Sequence, residues 1–180
     1  GLTAKSRRGA HSQNSWETVP TNAVISLNSK KRVLTWKVRC DIIEKSLGNS
    51  WWIIIGVEGC HTFPWGKQNH RTDVIGYDSR RGHQGCGFIV GTGEISAHGV
   101  RTPVYNQQLP ENEIKSGDWI GVKVQCGKYT SQSITFYHRG REVGTRSLRG
   151  ASTDKFRPCV CLTKQSQVTL GYWDGDPSTL

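Results

Sequence analysis

The chain has 180 residues, long enough for one well-buried core, and a sandwich can use all of them in a single domain. Its 24 Lys and Arg against 14 Asp and Glu leave a net charge of +10, which favours acidic peptides, nucleic acid or anionic membrane as partners, or serves only to solvate the surface. The longest apolar run, residues 51–55, is far shorter than the roughly 20 residues of a membrane-spanning helix, so no such helix is predicted.

Residues 1–20 are Gly-, Ser- and Arg-bearing with little periodicity, and are expected to form a flexible basic lead-in before a domain at 21–175. Lys5, Arg7 and Arg8 would then be a phosphate-contacting arm or a solvated tail. Residues 23–27 read as a first short strand. Next comes the cleanest alternation in the chain: Leu34, Trp36, Val38, Cys40 and Ile42 point one way, Thr35, Lys37, Arg39 and Asp41 the other. Residues 50–57 are apolar on both phases, the pattern of a strand covered on both faces.

A long loop at residues 58–72 carries Phe63, Pro64 and Trp65 among polar residues, and such loops either bind partners or fold back over a sheet edge. A strand is predicted at 73–78, then a basic loop with Arg80, Arg81 and His83, a short strand at 88–90, and a stretch at 100–105 leading into a polar loop that ends at Lys115 and Ser116. Residues 117–144 hold two hairpins in series. Ile120, Val122, Val124 and Cys126 alternate with polar residues, Ile134, Phe136 and His138 repeat that phase, and Arg139-Gly140 supplies a tight reversal. A final pair, 156–162 and 167–173, flanks the turn that contains Lys164 and Gln165, and residues 176–180 read as a tail. No segment sustains a 3.6-residue period, so the predicted fold is an all-β, two-sheet antiparallel β-sandwich.

Gly117-Asp118-Trp119-Ile120-Gly121-Val122, followed by Ile134-Thr135-Phe136-Tyr137 and the glycines 140 and 144, resembles the central signature of SPRY domains. The likeness extends to the Trp36 strand, to residues 52–57, to Ile75-Gly76-Tyr77-Asp78 and to Arg157-Pro158-Cys159-Val160-Cys161-Leu162. It departs at Arg139, where many members have Asn, and at Gln125, where many have Asp. The resemblance implies a concanavalin-like jelly roll that works as a protein-interaction module and grips peptides or domain surfaces with loops at one end. It also places the basic loop near Tyr105 and the 164–165 turn. Leu162-Thr163-Lys164 stands where some members carry the Trp of an Asn-rich-peptide site, so that specificity is not carried over.

For catalysis, a sandwich of this kind would need two outward carboxylates roughly 5–9 Å apart on its strands, and no strand carries such a pair. No Gly-x-Ser-x-Gly nucleophile context occurs either. Cys60-His61, His83 with Cys86, and Cys159 with Cys161 lack the paired spacing of a zinc site, so neither metal nor cofactor is expected. Six scattered cysteines in a chain of this size fit a reduced intracellular, cytoplasmic setting better than a disulfide scaffold. Met is absent even at position 1, which reads as a domain of a longer protein.

The sequence therefore points to a non-catalytic interaction module with partner-binding residues Trp65, Arg80, Arg81, His83, Tyr105, Lys164 and Gln165. Arg80 and Arg81 would anchor an acidic partner by charge pairing, and Trp65 and Tyr105 would supply apolar contact. RNA binding by the basic surface is the alternative, and an extracellular lectin is the third reading.

Overall fold

A computed structural model describes residues 2–5, 17–20, 25–26, 33–43, 53–59, 75, 85–106, 109–126, 132–148, 155–162 and 166–180. Two antiparallel sheets face one another. The six-stranded sheet runs in the order β1 (Leu2–Lys5), β13 (Gln167–Gly171), β4 (Val33–Ile42), β9 (Trp119–Cys126), β10 (Gln132–His138) and β11 (Arg141–Ser147). The seven-stranded sheet runs β2 (Glu17–Pro20), β12 (Lys155–Leu162), β5 (Ile53–Gly59), β6 (Cys86–Ile89), β7 (Glu94–Ala97) and β8 (Val100–Pro103), with β3 (Ile25–Ser26) also paired to β12. Among the described residues, the helical segments are the short 3-10 turns Pro110–Asn112 and Pro177–Thr179, and none is long and apolar enough to cross a membrane.

The period-two pattern sets which residues meet between the sheets. From the six-stranded sheet, Trp36, Val38, Cys40, Ile120, Val122, Val124, Ile134 and Phe136 point inward and are buried. They pack on Ile53, Ile55, Val57, Phe88, Phe156 and Val160 of the opposite sheet, with the Phe88 and Phe136 rings 5.6 Å apart between centroids. Burying each such side chain contributes about 1.5–3 kcal/mol.

The doubly apolar phase of residues 53–57 also has its explanation here. Ile54, on the other face of β5, lies in a second buried cluster with Ile75, Ile89, Cys159 and Cys161. The Ile75 amide donates to Cys161 Sγ at 3.4 Å, so Ile75 itself covers part of the outer face of this sheet. Ile75 itself lies in a turn, not in the strand expected at 73–78, and the rest of that expectation falls outside the described residues.

Elsewhere the strands depart from the expected pattern in instructive ways. A register shift leaves Asp41 unopposed between Cys40 and Ile42 against β13, and the extra residue inverts the phase. Ile42 is therefore exposed, and Ile43 takes the buried place. Residues 2–5 and 17–20, expected as part of a flexible lead-in, form edge strands: β1 pairs β13 and β2 pairs β12. Their pairing needs only backbone groups, and Ala4 and Val19 pack against the core, a contribution too small to show as sequence periodicity.

The tail after β13 is folded back rather than frayed. The Trp173 indole donates to the Asp176 carbonyl at 2.9 Å and to Thr179 Oγ1 at 3.0 Å, and the ring is buried. Asp176 caps the last turn by accepting from the Ser178 amide at 2.9 Å. This hook lies on Gly121, where an added Cβ would come 2.5 Å from Leu180 Cδ1 and 2.9 Å from the Trp173 ring.

Candidate functional site

The best-organised polar cluster among the described residues lies at one end of the sandwich, where the β10–β11 hairpin meets the connection from β8 to β9. His138 is the last residue of β10 and follows Ile134 and Phe136 in the inward phase, so alternation alone buries it completely. A buried imidazole needs a partner on each ring nitrogen. Tyr105 supplies one, with its hydroxyl 3.1 Å from Nδ1, and Asp118 supplies the other, with Oδ2 3.1 Å from Nε2. The neutral tautomer with the proton on Nε2 satisfies both: Nε2–H donates to the carboxylate and Nδ1 accepts from the phenol.

Each partner is held by its own backbone. Val104 and Tyr105 both donate their amides to the Gly93 carbonyl, at 3.0 and 2.9 Å, which fastens the start of the connection to the β6–β7 turn. Asp118 ends a turn closed by its own amide on the Lys115 carbonyl at 3.0 Å, and its Oδ2 accepts from the Lys115 amide at 2.8 Å. Cys40 braces that turn from β4, donating to the Asp118 carbonyl at 2.9 Å and accepting from Gly117 at 2.7 Å.

Arg139 completes the group. Its φ is +49° and that of Gly140 is +75°, so both central residues of the hairpin are left-handed, the geometry of a two-residue type I′ turn. Asn-Gly suits such a turn best, and Arg in that position is strained. Its side chain gains contacts in exchange: Nη2 lies 3.0 Å from Asp118 Oδ2, and Nη1 donates to the Glu111 carbonyl at 3.2 Å. The departure from Asn thus ties the hairpin to the β8–β9 connection.

The electrostatics follow from this burial. Desolvation lowers the pKa of His138, with Arg139 acting in the same sense, against the hydrogen bond and charge of Asp118, which raise it; the net direction is downward. Desolvation raises Tyr105, partly offset by Arg139 and Arg141. The rim therefore presents a neutral phenol, oriented by an uncharged imidazole, close to the exposed guanidinium groups of Arg139 and Arg141. That combination suits a carboxylate or carbonyl acceptor on a partner: two cationic donors beside a rigid aromatic surface.

Of the seven residues singled out from sequence, Tyr105 is at this site, and Trp65, Arg80, Arg81, His83, Lys164 and Gln165 lie outside the described residues. Sequence reasoning missed Asp118, His138, Arg139 and Arg141 as a group. One signal was available: a histidine on the apolar phase of a strand must find polar partners.

The cysteines weighed as zinc ligands separate onto different surfaces. Cys86 belongs to the core between the sheets, whereas Cys159 and Cys161 share the outer cluster under Ile75. Cys60, His61 and His83 lie outside the described residues, and no group of three or more potential ligands occurs among the described ones. Burial pushes the Cys86 thiol up to about 12 and raises Cys40 and Cys159 as well, so all three are protonated near neutral pH.

No protein-family model and no curated protein matches the chain. Solved structures do. The chain is similar to the crystal structure of a human SPRY domain, at 14% identity over 94% of this chain and 90% of that one, with a TM-score of 0.65. It is also similar to the crystal structure of the TRIM65 PSpry domain, at 15% identity over 87% of this chain and 69% of that one, with a TM-score of 0.57. At these identities the likeness establishes the fold: the chain carries the SPRY-type β-sandwich expected from its signature residues.

Proposed function

We propose that this chain is a non-catalytic interaction module that holds an acidic peptide or protein surface at the sandwich end bearing Tyr105, Arg139 and Arg141. The observation that carries the reading is the Tyr105–His138–Asp118–Arg139 network, which spends a fully buried histidine on orienting a rim phenol. The SPRY-type fold supports it, because loops at one end of such sandwiches are where interaction residues are expected. Trp65, Arg80, Arg81, His83, Lys164 and Gln165 are proposed to contribute to partner binding as well. A reduced intracellular setting fits the buried cysteines Cys40, Cys86, Cys159 and Cys161, which are not joined in disulfides.

A displayed library of random peptides tests the reading. Selected sequences are expected to be rich in Asp and Glu, and Tyr105→Ala or Arg141→Ala to weaken the best of them by about tenfold, the scale of a hot-spot truncation. Selected peptides that bind both variants as tightly as the wild type would remove this rim from the site.

A further inference from the structure

A second feature lies away from that rim, on the outward face of the six-stranded sheet. Trp119 on β9 stands opposite Arg39 on β4, and Lys37 follows on the same face two residues along. Lys37 Nζ is 4.7 Å from the centroid of the Trp119 ring and the Arg39 guanidinium carbon 5.5 Å, both within cation–π range. The ring also rests on Gly171, where a Cβ would come within 3.1 Å of it. Lys123, beside Thr35, and Lys5, beside Gln167 on the edge strand, extend the cationic surface.

Few acids answer these cations. Asp41 pairs with Arg39 and also accepts from the Thr169 hydroxyl at 2.6 Å. Asp174 and Asp176, in the hook that crosses this face at Thr35, are engaged within it: Asp174 accepts from the Asp176 amide at 3.0 Å, and Asp176 from the Ser178 amide at 2.9 Å. Among the described residues no carboxylate pairs with Lys5, Lys37 or Lys123.

We infer that this face is a second interaction surface, for an acidic peptide segment whose carboxylates meet Lys37, Arg39 and Lys123. Charge complementarity selects the class of partner. Spacing supports an extended segment: Lys37 and Arg39 are two residues apart on one strand, about 7 Å, which is the distance between alternate side chains of an extended peptide. The Trp119 ring argues against a nucleic acid in this place. It is already covered by Lys37, Arg39 and Gly171, so it fixes the positions of cations and is not open to stack a base.

The test is titration of the chain with a fluorescent ten-residue oligoglutamate and, in parallel, a ten-nucleotide oligouridylate, at low and at physiological salt. Oligoglutamate is expected to bind. Lys37→Gln combined with Lys123→Gln should lower its affinity by about tenfold, roughly threefold for each exposed pair removed. Arg101→Gln, which removes an exposed cation from β8 in the other sheet, should leave it unchanged. Circular dichroism establishes that each variant is folded. An unchanged affinity in the double variant, a tighter complex with oligouridylate, or no oligoglutamate binding at low salt would each overturn the assignment.

Discussion

Replacing His138 with Ala tests most of the rim at once. The side chain is fully buried and joins Tyr105 to Asp118 through two contacts of 3.1 Å. Its bond to the carboxylate contributes about 1.5–3 kcal/mol and its bond from the neutral phenol about 1 kcal/mol. The space vacated by the ring adds a cavity term, so a total loss of about 3–5 kcal/mol is expected. His138→Gln keeps a donor and an acceptor in nearly the same place and should cost less than half as much. Urea unfolding at pH 7.5, followed by near-UV circular dichroism, gives both values. A loss below about 1 kcal/mol for the Ala variant would show that the network is not tied together through this ring, and the reasoning would fail.

Other outcomes follow from the same contacts. The folded-state pKa of His138 is lowered from 6.5, so the unfolded chain binds the proton more readily; its contribution is complete above that value and is lost as pH falls through the folded pKa. Wild-type stability should thus drop more steeply between pH 7 and pH 5 than that of His138→Gln, measured by urea midpoints; parallel curves would contradict it. Arg139→Asn should be nearly neutral in thermal stability, since relief at φ +49° offsets the lost ion pair, whereas Arg139→Val should cost about 1–3 kcal/mol. Gly121→Ala should dislodge the C-terminal hook, because its methyl would meet Leu180 and the Trp173 ring, and a red shift in tryptophan fluorescence would report it. Peptide mapping after brief alkylation of the native chain should find Cys40, Cys86, Cys159 and Cys161 unmodified, as their burial dictates.

How far the sequence could be read depended on where each signal is stored. Alternation is local, so the inward phases of β4, β9 and β10 were legible from Trp36, Ile120 and Phe136 alone, and the two-sheet sandwich followed. The phase inversion at Ile42 was not legible, because the bulge arises from register against β13, more than a hundred residues away. β7 was missed for a similar reason: four residues, Glu94–Ala97, with two buried side chains carry too short a pattern. The edge strands at Leu2–Lys5 and Glu17–Pro20 contribute backbone pairing more than apolar area, and composition cannot register that.

The site divides in the same way. Tyr105 could be picked out as an aromatic residue at the start of a polar loop, but its partner is 33 positions away and its partner's partner 20 further back from that. His138 read as one more inward residue, and the hairpin substitution at Arg139 read as turn chemistry. Only the pairing of β9 with β10 brings Asp118 to His138 and Arg139 and shows why an arginine occupies a turn position that favours asparagine.

Binding at the end of the sandwich that carries Tyr105 is tested most directly by amide chemical-shift mapping with a library-selected acidic peptide. The expected result is a continuous set of perturbed amides at Tyr105, from Glu111 to Asp118 and from His138 to Arg141. Perturbations confined to the outward face around Lys37 and Trp119, or to strands remote from that rim, would contradict it.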